Sequence, residues 1–379
     1  MKKKNEVEKI CYVVGKWNGG GVESVVMNYY KNIDRKKYQI DFLCDSDSTN
    51  IPYDDIKKMG GEVILIPPYQ KVFKYQKFLT NLFKEKEYNI VHSHINALSI
   101  FPLRAAKKAG VPIRIAHSHS TTSKAEFKRN LLKNILKSFS KIYATDYFCC
   151  SELAGRWLFG DKTYDDNKVF LLNNAIDVDK FKYDKNIRNQ KRTELGIDDE
   201  TLVLGHIGRF VNVKNHTFII DIFNEIKNNN DNSCLILAGQ GPLMEEIKQK
   251  VSELNLENKV KFLGQISDTN KLYQALDVFL LPSLYEGLPV VGVEAQASGL
   301  LCEFSDTITC ETKILDTTRF NSLNLSAKEW ADIILEDLKD YKRQNVVDKI
   351  TKKNFNIKTE AKKLEEKYEE LLNGVEEHE

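Results

Sequence analysis

The sequence has no apolar run long enough to span a membrane, and its apolar stretch before Lys16 is too short for a secretory signal. A protein that stays in the cytoplasm is expected. Seven cysteines occur, an odd number without a CxxC pair, which fits neither a disulfide framework nor a zinc ribbon. They read as small buried residues in a reducing compartment. The dinucleotide fingerprint GxGxxG is missing at the first glycine-rich turn, as are internal repeats and low-complexity tracts. His92, His94, His117 and His119 alternate at the ends of two strand-like runs, but no nearby Asp, Glu or Cys completes a ligand set, so no metal is expected.

What is present suits two globular domains: 379 residues, 42% hydrophobic and 29% charged. The net charge of +2 hides an asymmetry, because residues 1–150 carry +12 and the remainder −10. The first half is therefore the one expected to face something anionic. Nucleic acid is not expected, since the aromatics near the basic runs lie at helical core spacing.

Strand and helix signals alternate from EKICYVVG onward, through QIDFLC, EVILIP, NIVHSH, IRIAHSH, YFCCS and KVFLLNNAI. After a polar stretch at 183–195, a linker or a first helix, a second series runs through LVLGHIGR, CLILAGQGP, KVKFLGQI, DVFLLPS and LLCEFS. Strands separated by helical crossovers make parallel sheets covered on both faces, so the fold class is α/β with two doubly wound, Rossmann-like domains. The expected bounds are 1–183, 184–350 and a C-terminal helical segment, 351–379, packing back towards the first domain. In such folds ligands sit outside the carboxyl ends of strands, and two facing domains enclose a cleft.

The function then lies in the loops. The stretch PSLYEGLPVVGVEAQASG, 282–299, joins a buried strand to a short helix and brings backbone N–H groups and the Glu286 carboxylate to one place. Glu294 lies among small apolar residues, where a carboxylate is costly to bury unless something polar meets it. GRFVNVKNH, 208–216, sets Arg209 and Lys214 beside a turn opening a helix, an arrangement suited to a diphosphate; a solvated surface pair would read the same. AGQGP, 238–242, either sits under a nucleotide or permits close packing. GKWNGGGVESVV, 15–26, can offer N–H groups to an anion or serve as a flexible turn.

Together GRF…KN, AGQGP, the E-x7-E pair Glu286 and Glu294, and NNAIDVDKF at 173–181 resemble the retaining, nucleotide-sugar-dependent glycosyltransferases of family 4, with the GT-B fold. The resemblance covers almost the whole chain. GGGVESVVMNYY, HSHSTT and SDTIT look most like the branch that builds capsule and exopolysaccharide. Two departures, Ala175 for the usual Gly and LCEFSD for a proline-containing run, touch loop shape more than chemistry.

The resemblance implies a hexosyltransferase (EC 2.4) in which Arg209 and Lys214 bind the donor diphosphate, a UDP-sugar by resemblance alone. Glu286 would hold sugar hydroxyls and Glu294 ribose hydroxyls, with the backbone of Gly287, Leu288, Pro289 and Val290 touching sugar and phosphate and Gly241 beneath the nucleotide. Gly19, Gly20 and Gly21 would lie near the diphosphate or acceptor. His119, with His117 as the competing alignment, would sit near the transferred sugar; the two share a strand face. No bound cofactor or metal is implied, and the acceptor would be a glycan or a polyprenyl-diphosphate-linked sugar. The basic, apolar-striped segment 122–143 could lie on an anionic membrane surface, placing the protein at the inner face of the membrane, or pack on its sheet. A sugar-nucleotide epimerase or hydrolase of the same frame, and a non-catalytic nucleotide- or glycan-binding protein, are the rival readings.

Overall fold

The computed structural model describes residues 7–120 and 135–376. The chain folds as two compact units, residues 1–175 with 357–379, and residues 176–356. The crossing at Ala175–Ile176 precedes the polar stretch at 183–195, which is no linker: Lys185–Leu195 is a helix within the second unit. Its Asp184 cap accepts from the backbone N–H groups of Asn186 and Ile187. Its Arg188 and Arg192 grip Asp277 at 2.6 and 2.7 Å, with the Arg192 side chain 1% exposed.

The first unit holds β1 (Glu8–Gly15), β2 (Tyr38–Asp45), β3 (Val63–Ile66), β4 (Ile90–Ser93), β5 (Ile113–Ser118), β6 (Asp146–Cys149) and β7 (Val169–Leu171). They pair in parallel in the order β3-β2-β1-β4-β5-β6-β7. Because β2 and β3 lie on one side of β1 and β4 to β7 on the other, the crossovers change direction between β1 and β4, opening a crevice at their carboxyl ends. The strands read as near-continuous apolar runs because both faces are covered, as Ile10 to Val13, all essentially inaccessible, illustrate. The helix Ile357–Glu376 belongs to this unit and buries Ala361, Leu364 and Tyr368, the i, i+3, i+7 stripe of an amphipathic helix.

The second unit repeats the plan with β8 (Leu202–Ile207), β9 (Ser233–Ala238), β10 (Val260–Gly264), β11 (Val278–Leu281), β12 (Leu301–Ser305) and β13 (Thr318–Asn321), ordered β10-β9-β8-β11-β12-β13. Its reversal lies between β8 and β11. Its core joins Leu204, Leu235, Leu237, Val278 and Leu280 to Ile219, Ile220 and Phe223 of the helix His216–Asn229 and to Trp330. β13 is a four-residue edge strand, polar at three of its four positions, that the strand signals miss.

Among the described residues no helix is long and apolar enough to cross a membrane. Of the segment 122–143, residues 122–134 lie outside the described residues; 135–137 are helical and 138–143 form turns.

Candidate active site

In the second unit, two loops meet at the β8–β11 reversal. After β8 the chain turns through Arg209 and Asn212–Lys214 into Asn215, whose left-handed backbone (φ 56°) redirects it into the helix His216–Asn229. After β11, Pro282–Pro289 leads to the helix Val290–Ala297. One backbone and one side-chain hydrogen bond tie the loops together: Leu284 N–H donates to Val213 O at 2.8 Å, and the Asn215 side chain donates to Pro282 O at 3.1 Å. This clasp brings Lys214 Nζ onto Glu286 Oε1 as an ion pair whose side chains are 16% and 18% exposed. Ser283 Oγ also donates to that carboxylate, at 3.2 Å.

A further layer supports the loop. Ser305 and Thr307 hydroxyls donate to Ser283 O at 2.5 and 2.7 Å, and Glu286 bridges in parallel to Ile308. The SDTIT stretch thus holds the Glu286 loop in place. Arg209 is exposed and forms no ion pair among the described residues, leaving its guanidinium free at the same strand end. Pro289 caps the helix Val290–Ala297 without a side-chain hydrogen bond. The N–H groups of Gly292 and Val293 donate instead to Pro289 O, at 3.0 and 3.3 Å.

Glu294, one turn further along that helix, does meet a polar partner. Tyr273 donates its hydroxyl to Glu294 Oε2 at 3.0 Å. Burial still pushes the Glu294 carboxyl up to about 7, offset only partly by Tyr273 and by the Lys180 ammonium. Tyr273 carries no motif, and only the fold assigns it to this carboxylate.

The AGQGP turn is a packing device. A Cβ on Gly239 (φ 133°) would lie 2.0 Å from Gly208 O, and one on Gly241 would lie 2.4 Å from Phe210 O. Gly241 therefore lets the turn press on the GRF backbone and, through it, positions Arg209.

In the first unit, Gly19, Gly20 and Gly21 are exposed at the β1 carboxyl end. Their turn differs from an open anion cradle. The Glu23 carboxylate folds back over it, accepting from Asn18 N–H at 3.0 Å and lying 2.8 Å from where a Cβ on Gly20 would sit. An acid in the first helical turn is favourable for the helix, and here it already engages the Asn18 N–H beside the three glycines.

Across β4 and β5 the four histidines meet. His92 and His94 stack at 4.2 Å, and His117 and His119 at 3.9 Å. His92 Nε2 lies 3.0 Å from His117 Nδ1, and His94 Nδ1 lies 3.0 Å from His119 Nε2. His119 stands just past β5, its backbone N–H donating to the Asn96 side chain at 2.6 Å, while His117 lies one strand step deeper. Burial pulls the His119 imidazole down to about 3, so it is neutral near pH 7, and holds the other three well below the usual range. His92, His94 and His117 each offer a ring nitrogen within 4.8 Å of the others, the one such group among the described residues. In this arrangement both His92 nitrogens are already engaged, by His117 and by Tyr368.

Two family models match the chain: "Glycosyltransferase Family 4" over residues 19–180 and "Glycosyl transferases group 1" over residues 187–354. The putative glycosyltransferase EpsF of Bacillus subtilis is 37% identical over 307 residues, covering 80% of each chain. An Escherichia coli UDP-Gal:alpha-D-GlcNAc-diphosphoundecaprenol alpha-1,3-galactosyltransferase is 27% identical over 294 residues, 76% of each. Among solved structures, Anabaena Alr3699/HepE in complex with UDP-glucose superposes with a TM-score of 0.79 at 18% identity, over 96% of this chain and 99% of that one. That likeness carries the fold. With the family models on both halves and the extent of the match to EpsF, the chain belongs to glycosyltransferase family 4 and is a glycosyltransferase with the GT-B fold.

Proposed function

We propose that the protein transfers a hexose, with retention, from a UDP-sugar to a lipid-linked glycan acceptor in capsule or exopolysaccharide synthesis. The observation that carries the reading is the Lys214–Glu286 pair beside the free Arg209 at one strand end. Without donor, the two charges neutralise each other. With donor bound, Lys214 turns to the diphosphate beside Arg209, and Glu286 is released to accept from sugar hydroxyls. The bond from the anomeric carbon to the diphosphate oxygen breaks and a bond to the acceptor oxygen forms on the same face. The acceptor proton passes to a leaving phosphate oxygen, so no protein nucleophile is needed. The cations stabilise the charge that develops on the diphosphate. Glu294 takes the ribose hydroxyls, and neutral His119 hydrogen-bonds a sugar hydroxyl without acting as a charged acid.

The galactosyltransferase relative, named for a UDP-sugar donor and a diphosphoundecaprenol-linked acceptor, supports both substrate classes. A lipid-linked acceptor requires approach to the inner face of the membrane. A surface suited to that is the helix Val72–Lys86, where Phe73 is 93% exposed and Lys71, Lys74 and Lys77 flank it. Sedimentation with phosphatidylglycerol vesicles should be lost in F73A/K74E/K77E; binding equal to wild type would remove this surface.

The reaction itself is tested by thermal shift and nucleoside-diphosphate release against a panel of nucleotide sugars. One UDP-sugar should stabilise and turn over with the wild type but with neither R209A nor E286A. Stabilisation by a non-uridine donor, or by none, refutes the donor assignment.

A further inference from the structure

The inner layer of the histidine box continues into the C-terminal helix. His92 Nδ1 lies 2.7 Å from the Tyr368 hydroxyl, which lies 3.0 Å from the Tyr12 hydroxyl, and all of these groups are buried. With the 3.0 Å contact from His92 Nε2 to His117 Nδ1, four side chains from β1, the helix Ile357–Glu376, β4 and β5 form one hydrogen-bonded chain. It ends at His117 Nε2, which is buried with no protein partner.

The chain's direction follows from counting protons. Neutral imidazole carries one N–H, and each hydroxyl carries one proton. In one direction Tyr12 donates to Tyr368, Tyr368 to His92 Nδ1, and His92 Nε2–H to His117 Nδ1. Every donor then has an acceptor except His117 Nε2–H. In the other direction His117 Nδ1–H donates to His92, His92 Nδ1–H to Tyr368, and Tyr368 to Tyr12. The Tyr12 proton is then left without an acceptor among the described residues, and His117 Nε2 is a bare lone pair. That leaves two buried orphans instead of one, and each costs about 1–3 kcal/mol.

We infer that the Tyr12–Tyr368–His92 chain fixes the tautomer of His117, so that this ring presents an Nε2–H donor, and that Tyr368 is a positioning residue for the histidine box. A nitrogen that carries its proton has no lone pair for a cation. Its partner is therefore an oxygen acceptor, a hydroxyl or phosphate oxygen of the bound ligand. Only this last step rests on the transferase reading. The C-terminal helix thereby acts on the chemistry of β5, from 251 residues further along the chain.

The test is a long-range ¹H–¹⁵N correlation spectrum of the full chain labelled in histidine, near pH 7.5, with signals assigned by single His→Gln substitutions. His92 and His117 should both be Nε2–H tautomers. Tyr368→Phe leaves one donor and one acceptor orphaned in either direction along the two rings, so both should become tautomer mixtures. Tyr12→Phe should leave the tautomers as in wild type, because Tyr368 can still donate to His92. His117 as an Nδ1–H tautomer in the wild type, or an unchanged spectrum in Y368F, overturns the inference. Should Y368F not fold, the wild-type and Y12F spectra still decide it. In turnover assays Y368F should lose kcat several-fold; mixed tautomers with unchanged turnover would overturn the positioning role. A wild type inactive with every donor would count against the transferase reading, and the spectra would still decide the tautomer.

Discussion

Replacing Lys214 by alanine separates what the Lys214–Glu286 pair does for stability from what it does for the reaction. Both side chains are mostly but not fully buried, at 16% and 18% exposure. The cost of breaking the pair therefore falls between that of a surface pair, about 0–1 kcal/mol, and that of a buried pair stripped of one partner, about 3–5 kcal/mol. Ser283 still donates to the orphaned carboxylate. A destabilisation of about 1–2 kcal/mol follows, seen as a drop of roughly 3–6 °C in melting temperature for a unit of this size. The chemical loss should be larger. One preorganised donor facing developing charge is worth about 10²–10³ in kcat. The assay is steady-state release of nucleoside diphosphate with the donor that the wild type accepts, alongside melting curves of K214A, E286A and K214A/E286A. The double variant should regain part of the stability, because no unpaired carboxylate remains, while its kcat stays at or below that of K214A. A K214A enzyme within about threefold of wild-type kcat, despite its lowered melting temperature, would refute the argument and reduce the pair to a structural clasp.

Three further outcomes follow from the structure. Glu303 is buried in β12, accepts from the Asn321 side chain at 2.6 Å, and is pushed by burial from 4.5 up to about 8. Its contribution is complete below about pH 4.5 and is lost as pH rises through about 8, at up to about 1.4 kcal/mol per pH unit between; Glu303→Gln should flatten the pH dependence of the melting temperature there, and an unchanged slope would contradict it. Tyr273→Phe removes the hydroxyl that holds Glu294 down, so its carboxyl should rise above about 7. The rise in donor KM on acidification should then begin at higher pH than in wild type; identical KM–pH profiles would exclude the assignment of Glu294 to the ribose. Gly241→Ala puts a methyl 2.4 Å from Phe210 O and should cost about 1–3 kcal/mol by chemical denaturation, with weaker donor binding as Arg209 shifts; wild-type stability would show that the turn has room.

The architecture is legible in the amino-acid pattern, because a strand buried on both faces must be apolar along its length and a covering helix must be apolar every three to four residues. Those patterns survive without neighbours, so twelve of the thirteen strands among the described residues were legible; the exception is the short edge strand Thr318–Asn321, three of whose four residues are polar. Motif spacing likewise marked Arg209, Lys214 and Glu286, since a loop between a buried strand and a helix must place its residues at the strand's end, and it marked Glu294 on the helix that follows. Tertiary structure decided which of these groups meet, and what else meets them. Lys214 and Glu286, 72 residues apart, become an ion pair because the loops after β8 and β11 are clasped by Leu284 N–H on Val213 O and the Asn215 side chain on Pro282 O. Glu294 obtains Tyr273, and the glycine turn after β1 is covered by Glu23. Nothing in a local pattern records such pairings. The polar stretch 183–195 shows the same limit: its charges read as solvated until Asp277 stands beside Arg188 and Arg192. The histidines were visible as alternating positions, but their protons are ordered by a tyrosine on a helix that returns to this unit from the other end of the chain. A side chain's periodicity is set by its own backbone, whereas its partner is set by how distant segments close around the same core.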